Sequence, residues 1–251
     1  MKKLILIQND FSGAGKSTVV RLLRRYLTQH SVAHQFLVLD EEESSIEPDA
    51  AYINPGPTTL KQLVGALDES EITIVEAASG QGEMFMKLYE RHQLSDVLHE
   101  MGVETTVIVP VSNDTESFDA VTHAAEVYAD NVQYLIAHST TSAYDEDDGS
   151  WDSSYAARVM DMFEAVELKI PAATVEMEGM FRAAHTDLAC SLLDDDSETF
   201  GKDYTKWLRR AIGQVETARQ YLFGDAFRSL LDTSKEPATR GRRNKKAMME
   251  V

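Results

Sequence analysis

The run Ser12-Gly13-Ala14-Gly15-Lys16-Ser17-Thr18 brings together the residue types needed to hold a phosphate group. Glycines at 13 and 15 let the backbone curl so that its N–H groups face an anion, Lys16 supplies a point charge, and the Ser17 hydroxyl suits a Mg²⁺ ion. The apolar stretch Leu4 to Ile7 precedes this run and a periodic helical stretch follows it, which is the strand-to-helix context such a loop demands. The helix start adds the positive end of its dipole. A plain glycine-serine turn would not require that context, so residues 12–18 are expected to bind a nucleotide, with Lys16 at its phosphates.

A Mg²⁺-nucleotide site also needs hard oxygen ligands, and parallel sheets supply them from the ends of neighbouring strands. Asp40 and Glu42 follow the apolar run Gln35-Phe36-Leu37-Val38-Leu39, and Glu76 follows Ile72-Thr73-Ile74-Val75. An acidic cap on the next turn explains Glu41 and Glu43, but not an aspartate ending an apolar strand. Asp40 is therefore a candidate beside Ser17 at the metal. The small-residue segment Ala77-Ala78-Ser79-Gly80 is expected beside the terminal phosphate. His92, His99, His123, His138 and His185 have no metal-ligand spacing with one another or with a cysteine.

The elements that must position these residues read as alternating strands and helices. After the loop, Val19, Leu22, Leu23, Tyr26 and Leu27 share one helical face and Arg21, Arg24 and Arg25 the other, which predicts a surface helix packed on a sheet. Strands are expected at 34–39, 71–75, 105–109 (closed by Pro110), 132–137 and 166–170. Helices are expected at 60–67, through Met84 to Leu98, at 117–129 and at 155–163. Two more helices close the chain, Met177 to Leu193 and a long one from Phe200 to Leu222 with an apolar face of Phe200, Tyr204, Trp207, Leu208, Ala211, Val215 and Leu222. The fold class is α/β, a doubly wound and mostly parallel sheet flanked by helices, with ligands at the carboxyl ends of the strands. The clearest loop is 139–153.

The chain has 251 residues, 43% of them hydrophobic, which suffices for a full core. Residues 1–233 are expected as the nucleotide-binding domain, including C-terminal helices from about 176, and 234–251 as a flexible basic tail. The single cysteine, Cys190, excludes a disulfide framework and reads as a packed small hydrophobe; with no signal peptide in view, the cytoplasm is the expected compartment. No apolar run approaches membrane-spanning length. The net charge of −18 divides into +5 over Lys235 to Lys246 and −23 over the remainder. Such a body repels a DNA backbone, so direct DNA binding is expected to be weak and confined to the tail.

With Gly13, Gly15, Lys16 and Ser17 in place and Asp10 where the common pattern has its first glycine, the loop resembles the deviant phosphate loop of the ParA/MinD superfamily, Lys-Gly-Gly-x-Gly-Lys-Thr/Ser. Phe11 stands where that family has a signature lysine that reaches the partner's phosphates across a dimer. The resemblance extends over about residues 3–175. It implies a P-loop NTPase that binds Mg-ATP and hydrolyses it slowly, a homodimer, and shape change in the Ala77 to Gly80 segment. Asp40 and Glu42 resemble the superfamily's Asp-x-Asp motif, one holding Mg²⁺ waters and Glu42 orienting the attacking water. The strand ending at Glu76 resembles a Walker B strand, with Glu76 where the family usually has aspartate, which implies that Glu76 binds Mg²⁺ through water. Ala137-His138 stands where many members place an adenine-reading asparagine, which leaves the base open. The Asn-Asp-Phe-Ser-Gly-x-Gly-Lys-Ser-Thr and Glu-Ala-Ala-Ser-Gly segments look most like the StbB and TraL types of plasmid stability and conjugation operons. That likeness implies a nucleotide-dependent switch with a protein partner linked to plasmid DNA or transfer machinery. A small-molecule kinase or nucleotide-dependent ligase is the alternative, although no arginine-rich lid segment stands out.

Overall fold

A computed structural model describes residues 2–40, 50–56, 58–139, 150–184, 186, 188–192 and 197–224. Glu42, His185 and the basic tail lie outside the described residues. Seven strands form one sheet in the order β3-β2-β4-β1-β5-β6-β7, and every pairing is parallel. They are β1 (Lys2–Ile7), β2 (Gln35–Leu39), β3 (Ala51–Ile53), β4 (Ile72–Ala77), β5 (Val103–Val111), β6 (Gln133–Ser139) and β7 (Val166–Ile170). This is the doubly wound α/β architecture of P-loop NTPases.

β1 lies at the centre because its apolar run suits burial on both faces. Leu4 and Leu6 point into one core while Ile5 and Ile7 point into the other, the period-two alternation of a strand with no wet face. The chain leaves β1 toward β2 and β3, returns through β4, and then crosses β1 to reach β5, β6 and β7. The order reverses at β1, and such a reversal opens a crevice at the carboxyl ends of the strands. The loop 8–15 occupies that end.

One face of the sheet is covered by α1 (Lys16–Gln29) with α8 (Val175–Ala183), α9 (Leu188–Ser191) and α10 (Ser197–Thr217). The other carries α2 (Thr59–Glu69), α3 (Gly82–Arg91), α4 (Leu94–Glu100), α5 (Glu116–Tyr128) and α7 (Tyr155–Met162), with the short α6 (Ser150–Ser153) leading into the last. All seven apolar residues expected on the last long helix are buried. Its polar tips are satisfied inside: Trp207 Nε1 donates to Pro171 O (2.6 Å) and the Tyr204 hydroxyl donates to Ser191 O (2.8 Å).

Four local expectations are corrected. The arginine face of α1 is largely covered, with Arg24 and Arg25 half-buried. Arg21 is buried, Arg24 lies 4.5 Å from the Phe36 ring centroid, and Arg25 donates to Leu192 O, because the C-terminal helices cover that side. The helix expected from Met84 to Leu98 divides at Gln93, whose φ of 46° starts a second helix. The helical stretch expected from Met177 to Leu193 is two helices, α8 and α9. Pro110 does not close its strand but lies within it, paired with Ala137. Gln8 N–H donates to Ile108 O (3.1 Å), which turns the backbone groups of Ile108 and Pro110 toward β1. That ladder ends at Ile7, so the N–H that proline lacks falls beyond it.

Candidate functional site

The turn from β1 into α1 is fixed on three sides by side chains of its own first residues. Asn9 is buried and spends its whole amide on structure. Its Nδ2 donates to Pro110 O (2.7 Å) and Ser117 O (3.0 Å), and its Oδ1 accepts from Phe11 N–H (2.8 Å). The Asp10 carboxylate accepts from the first backbone N–H groups of α3, at Gly82 (2.9 Å) and Glu83 (3.2 Å). The loop is therefore tied to β5 and α5 by Asn9, and to α3 by Asp10.

Gly13 and Gly15 have φ of 86° and 96°, left-handed values that glycine adopts without penalty. Gly15 precedes α1, and no side chain caps the first amides of that helix. Those N–H groups and the dipole behind them are left for an anion. Gly15 also has a neighbour: a Cβ there would lie 2.3 Å from Ser139 Oγ. Ala14 is buried, so only its backbone can serve a ligand.

Lys16 is buried and folds back onto the loop, where its Nζ donates to Asn9 O (2.5 Å), Phe11 O (3.2 Å) and Ser79 Oγ (3.2 Å). All three acceptors are neutral, and among the described residues no carboxylate is in ion-pair contact with it. Burial pushes its pKa below the ordinary lysine value, and the negative potentials of Glu76 and Asp10 oppose the shift. Among the described residues this ammonium has no carboxylate in contact, and the uncapped amides of α1 lie beside it.

Ser17 Oγ donates to Glu76 Oε1 (2.9 Å), which joins two of the three expected metal ligands. Asp40 follows β2, on the far side of β4 from β1, and is not among the residues around the loop's cavity. That cavity has a volume of about 410 Å³; Ser12, Gly13, Gly15, Lys16, Ser17, Thr18, Glu76 and Ser79 form its floor. Ser139, Ile170, Leu188 and Ala189 complete its lining. Six of the seven loop residues expected at a nucleotide thus converge on one opening. Among the described residues no three acids, histidines or cysteines gather into a metal cage. One hydroxyl and one carboxylate are what Mg²⁺ uses when phosphate oxygens and waters complete its shell. Sequence reasoning missed Ser139, more than a hundred residues from the loop; Ser79 sat in a segment flagged for its small residues, without a role of its own.

No family model matches the chain, and no curated protein does. Among solved structures the chain is similar to the MinC:MinD cell division protein complex of Aquifex aeolicus, with a TM-score of 0.41 and 11% identity, covering 84% of this chain and 96% of that one. It is similar to FlhF complexed with GMPPNP/Mg²⁺, with a TM-score of 0.36 and 13% identity, covering 69% and 66%. It is also similar to pNOB8 ParA bound to nonspecific DNA, with a TM-score of 0.40 and 11% identity, covering 86% and 99%.

Proposed function

We propose that the chain binds ATP as its Mg²⁺ complex at residues 12–18 and works as a slow, nucleotide-dependent switch of the ParA/MinD kind. The observation that carries this reading is the Lys16 ammonium, buried on neutral oxygens beside the uncapped start of α1. Both features are resolved together by one ligand, a polyphosphate. Ser17 and Glu76 hold the ion, with Asp40 as its outer partner through water, and Glu42 positions the attacking water.

The switch has its parts in the same contacts. A phosphate that draws Lys16 away from Ser79 loosens the β4–α3 connection, while Asp10 continues to hold the start of α3. Two arrangements of one segment, biased by the γ-phosphate, are what a nucleotide switch requires. The role in plasmid maintenance or conjugative transfer, with a partner protein bound to plasmid DNA or to the transfer machinery, rests on the StbB-like and TraL-like segments around the loop and Glu76.

Calorimetric titration of Mg-ATP or a non-hydrolysable analogue into the wild-type chain and Lys16→Ala tests the reading. Loss of a charge-assisted contact to phosphate is worth roughly 2–3 kcal/mol, so affinity should fall about a hundredfold. Unchanged affinity in a variant with native circular dichroism would remove the proposal.

A further inference from the structure

A second cavity, of about 280 Å³, lies on the opposite flank of the loop between α3 and α5. Its lining includes Gln8, Asp10, Phe11, Met86, Glu116 and Asp119, with His123 at its edge. The volume is at the lower end of small-ligand pockets, about 300 Å³. Two acids in the first turn of α5 are accounted for by the helix dipole alone and would carry no inference by themselves.

The residue that points to a ligand is Gln8. It is 3% exposed, and the Tyr128 hydroxyl donates to its Oε1 (2.9 Å). Its amide nitrogen has no hydrogen-bond partner among the described residues. The contrast with the next residue is direct, since the equally buried Asn9 satisfies both ends of its amide. That nitrogen is not sealed in the core but opens on the cavity, so the acceptor that completes it enters from there.

We infer that this cavity is a binding site for a small organic cation, a primary ammonium or guanidinium on a short chain that also carries an oxygen acceptor. Gln8, Asp10, Phe11, Glu116 and Asp119 each have a use for such a molecule. The oxygen accepts from the Gln8 amide, and the cationic head is attracted by Glu116 and Asp119. Asp10 adds negative potential while remaining engaged with α3. Phe11 adds an aromatic surface, which favours a cation where an ammonium side chain would repel it. His123 is the lone basic side chain in the lining. An anion would meet the negative potential of Asp10, Glu116 and Asp119 here, so the nucleotide and the cation occupy opposite flanks of the loop. The inference stands on these residues and does not depend on the nucleotide reading.

The test uses the full chain, isotopically labelled, without nucleotide. L-lysinamide, agmatine and 1,4-diaminobutane serve as cationic probes, with hexanoate as the anionic control and 1-pentanol as the neutral one. The side-chain amide signals of Gln8 should move with L-lysinamide at a dissociation constant of about 1 mM or tighter, and stay still with hexanoate and 1-pentanol. Glu116→Gln combined with Asp119→Asn, two exposed positions that leave the fold alone, should weaken L-lysinamide about tenfold or more. Gln8→Leu should abolish the preference for L-lysinamide over 1,4-diaminobutane, because only the former offers an oxygen to the amide. Lys16→Ala should bind the cations as the wild type does, whatever it does to nucleotide. Equal binding of 1-pentanol, an unweakened double variant, or no shift of the Gln8 signals by any cation would each overturn the inference.

Discussion

Gly13 and Gly15 share a left-handed backbone but not a neighbourhood, and the difference is measurable. A Cβ at Gly13 meets nothing within 4 Å, so Gly13→Ala carries only the backbone penalty, about 1–2 kcal/mol. A Cβ at Gly15 meets Ser139 Oγ at 2.3 Å as well, which adds an overpacking cost of about 1–3 kcal/mol. Chemical denaturation should therefore rank Gly15→Ala well below Gly13→Ala. Adding Ser139→Gly to Gly15→Ala should recover the steric share and leave the backbone share. Phe11 gives a second expectation at this scale. With no ammonium at position 11, turnover of ATP by the chain alone should be at or below about 1 s⁻¹, the slow end of ordinary enzymes. A phosphate-release assay reads this directly, and fast turnover would place the catalytic charge elsewhere. The placement of Lys16 and Ser17 at one turn was legible in the sequence because a strand, a tight turn and a helix start fix such a loop within a few residues, and Glu76 belongs to an apolar run that reads as a neighbouring strand. Ser139 was not, since nothing local marks the residue that a distant strand will bring against a glycine.

The link between loop and helix α3 belongs to the scale of elements. α3 has no side-chain cap of its own at Gln81, and Asp10 supplies the missing acceptor from across the turn. Asp10→Ala should cost about 1 kcal/mol, the ordinary worth of a capping residue, and speed hydrogen exchange at the amides of Gly82 and Glu83 more than elsewhere. Exchange unchanged at those two amides would mean that α3 is held by packing alone. Gly82 is part of the same device, for a Cβ there would lie 2.9 Å from Asp10 Oδ1. None of this could be read from Asp10 in the sequence, where it stood only as a departure from a glycine. Strands with continuous apolar runs, such as β1 and β4, were legible because burial on both faces leaves one composition. The three-residue edge strand β3 was not, because only Ile53 in it is buried and a single apolar residue has no period. Arg21, Arg24 and Arg25 misled for a related reason: a polar face predicts solvent until helices from the far end of the chain cover it.

At the scale of the molecule, charge decides which surfaces a polyanion can approach. No helix among the described residues is long and apolar enough to cross a membrane. The cations near the start of the chain are committed elsewhere. Lys2 pairs with Asp68 (3.2 Å), Lys3 is buried against Gln133 and Glu104, and Arg21, Arg24 and Arg25 are covered or stacked. Exposed cations remain on the body, Lys202, Lys206, Arg209 and Arg210 along α10 among them, but the densest basic run is the sequence from Thr239 to Lys246, with Arg240, Arg242, Arg243, Lys245 and Lys246 against a remainder of −23. Binding through so short an arm should be weak and indifferent to sequence. It should also fall steeply with salt, because each phosphate neutralised contributes about −0.9 to the slope of log affinity against log salt. Truncation after Pro237 should abolish a shift of duplex DNA seen with the full chain at low salt, and leave Mg-nucleotide affinity where it was. If the truncated chain still shifts DNA at physiological salt, a basic surface must form on the folded body, against the commitments just named. If the full chain shifts none, contact with nucleic acid runs through a partner protein, the route that a body of this charge favours.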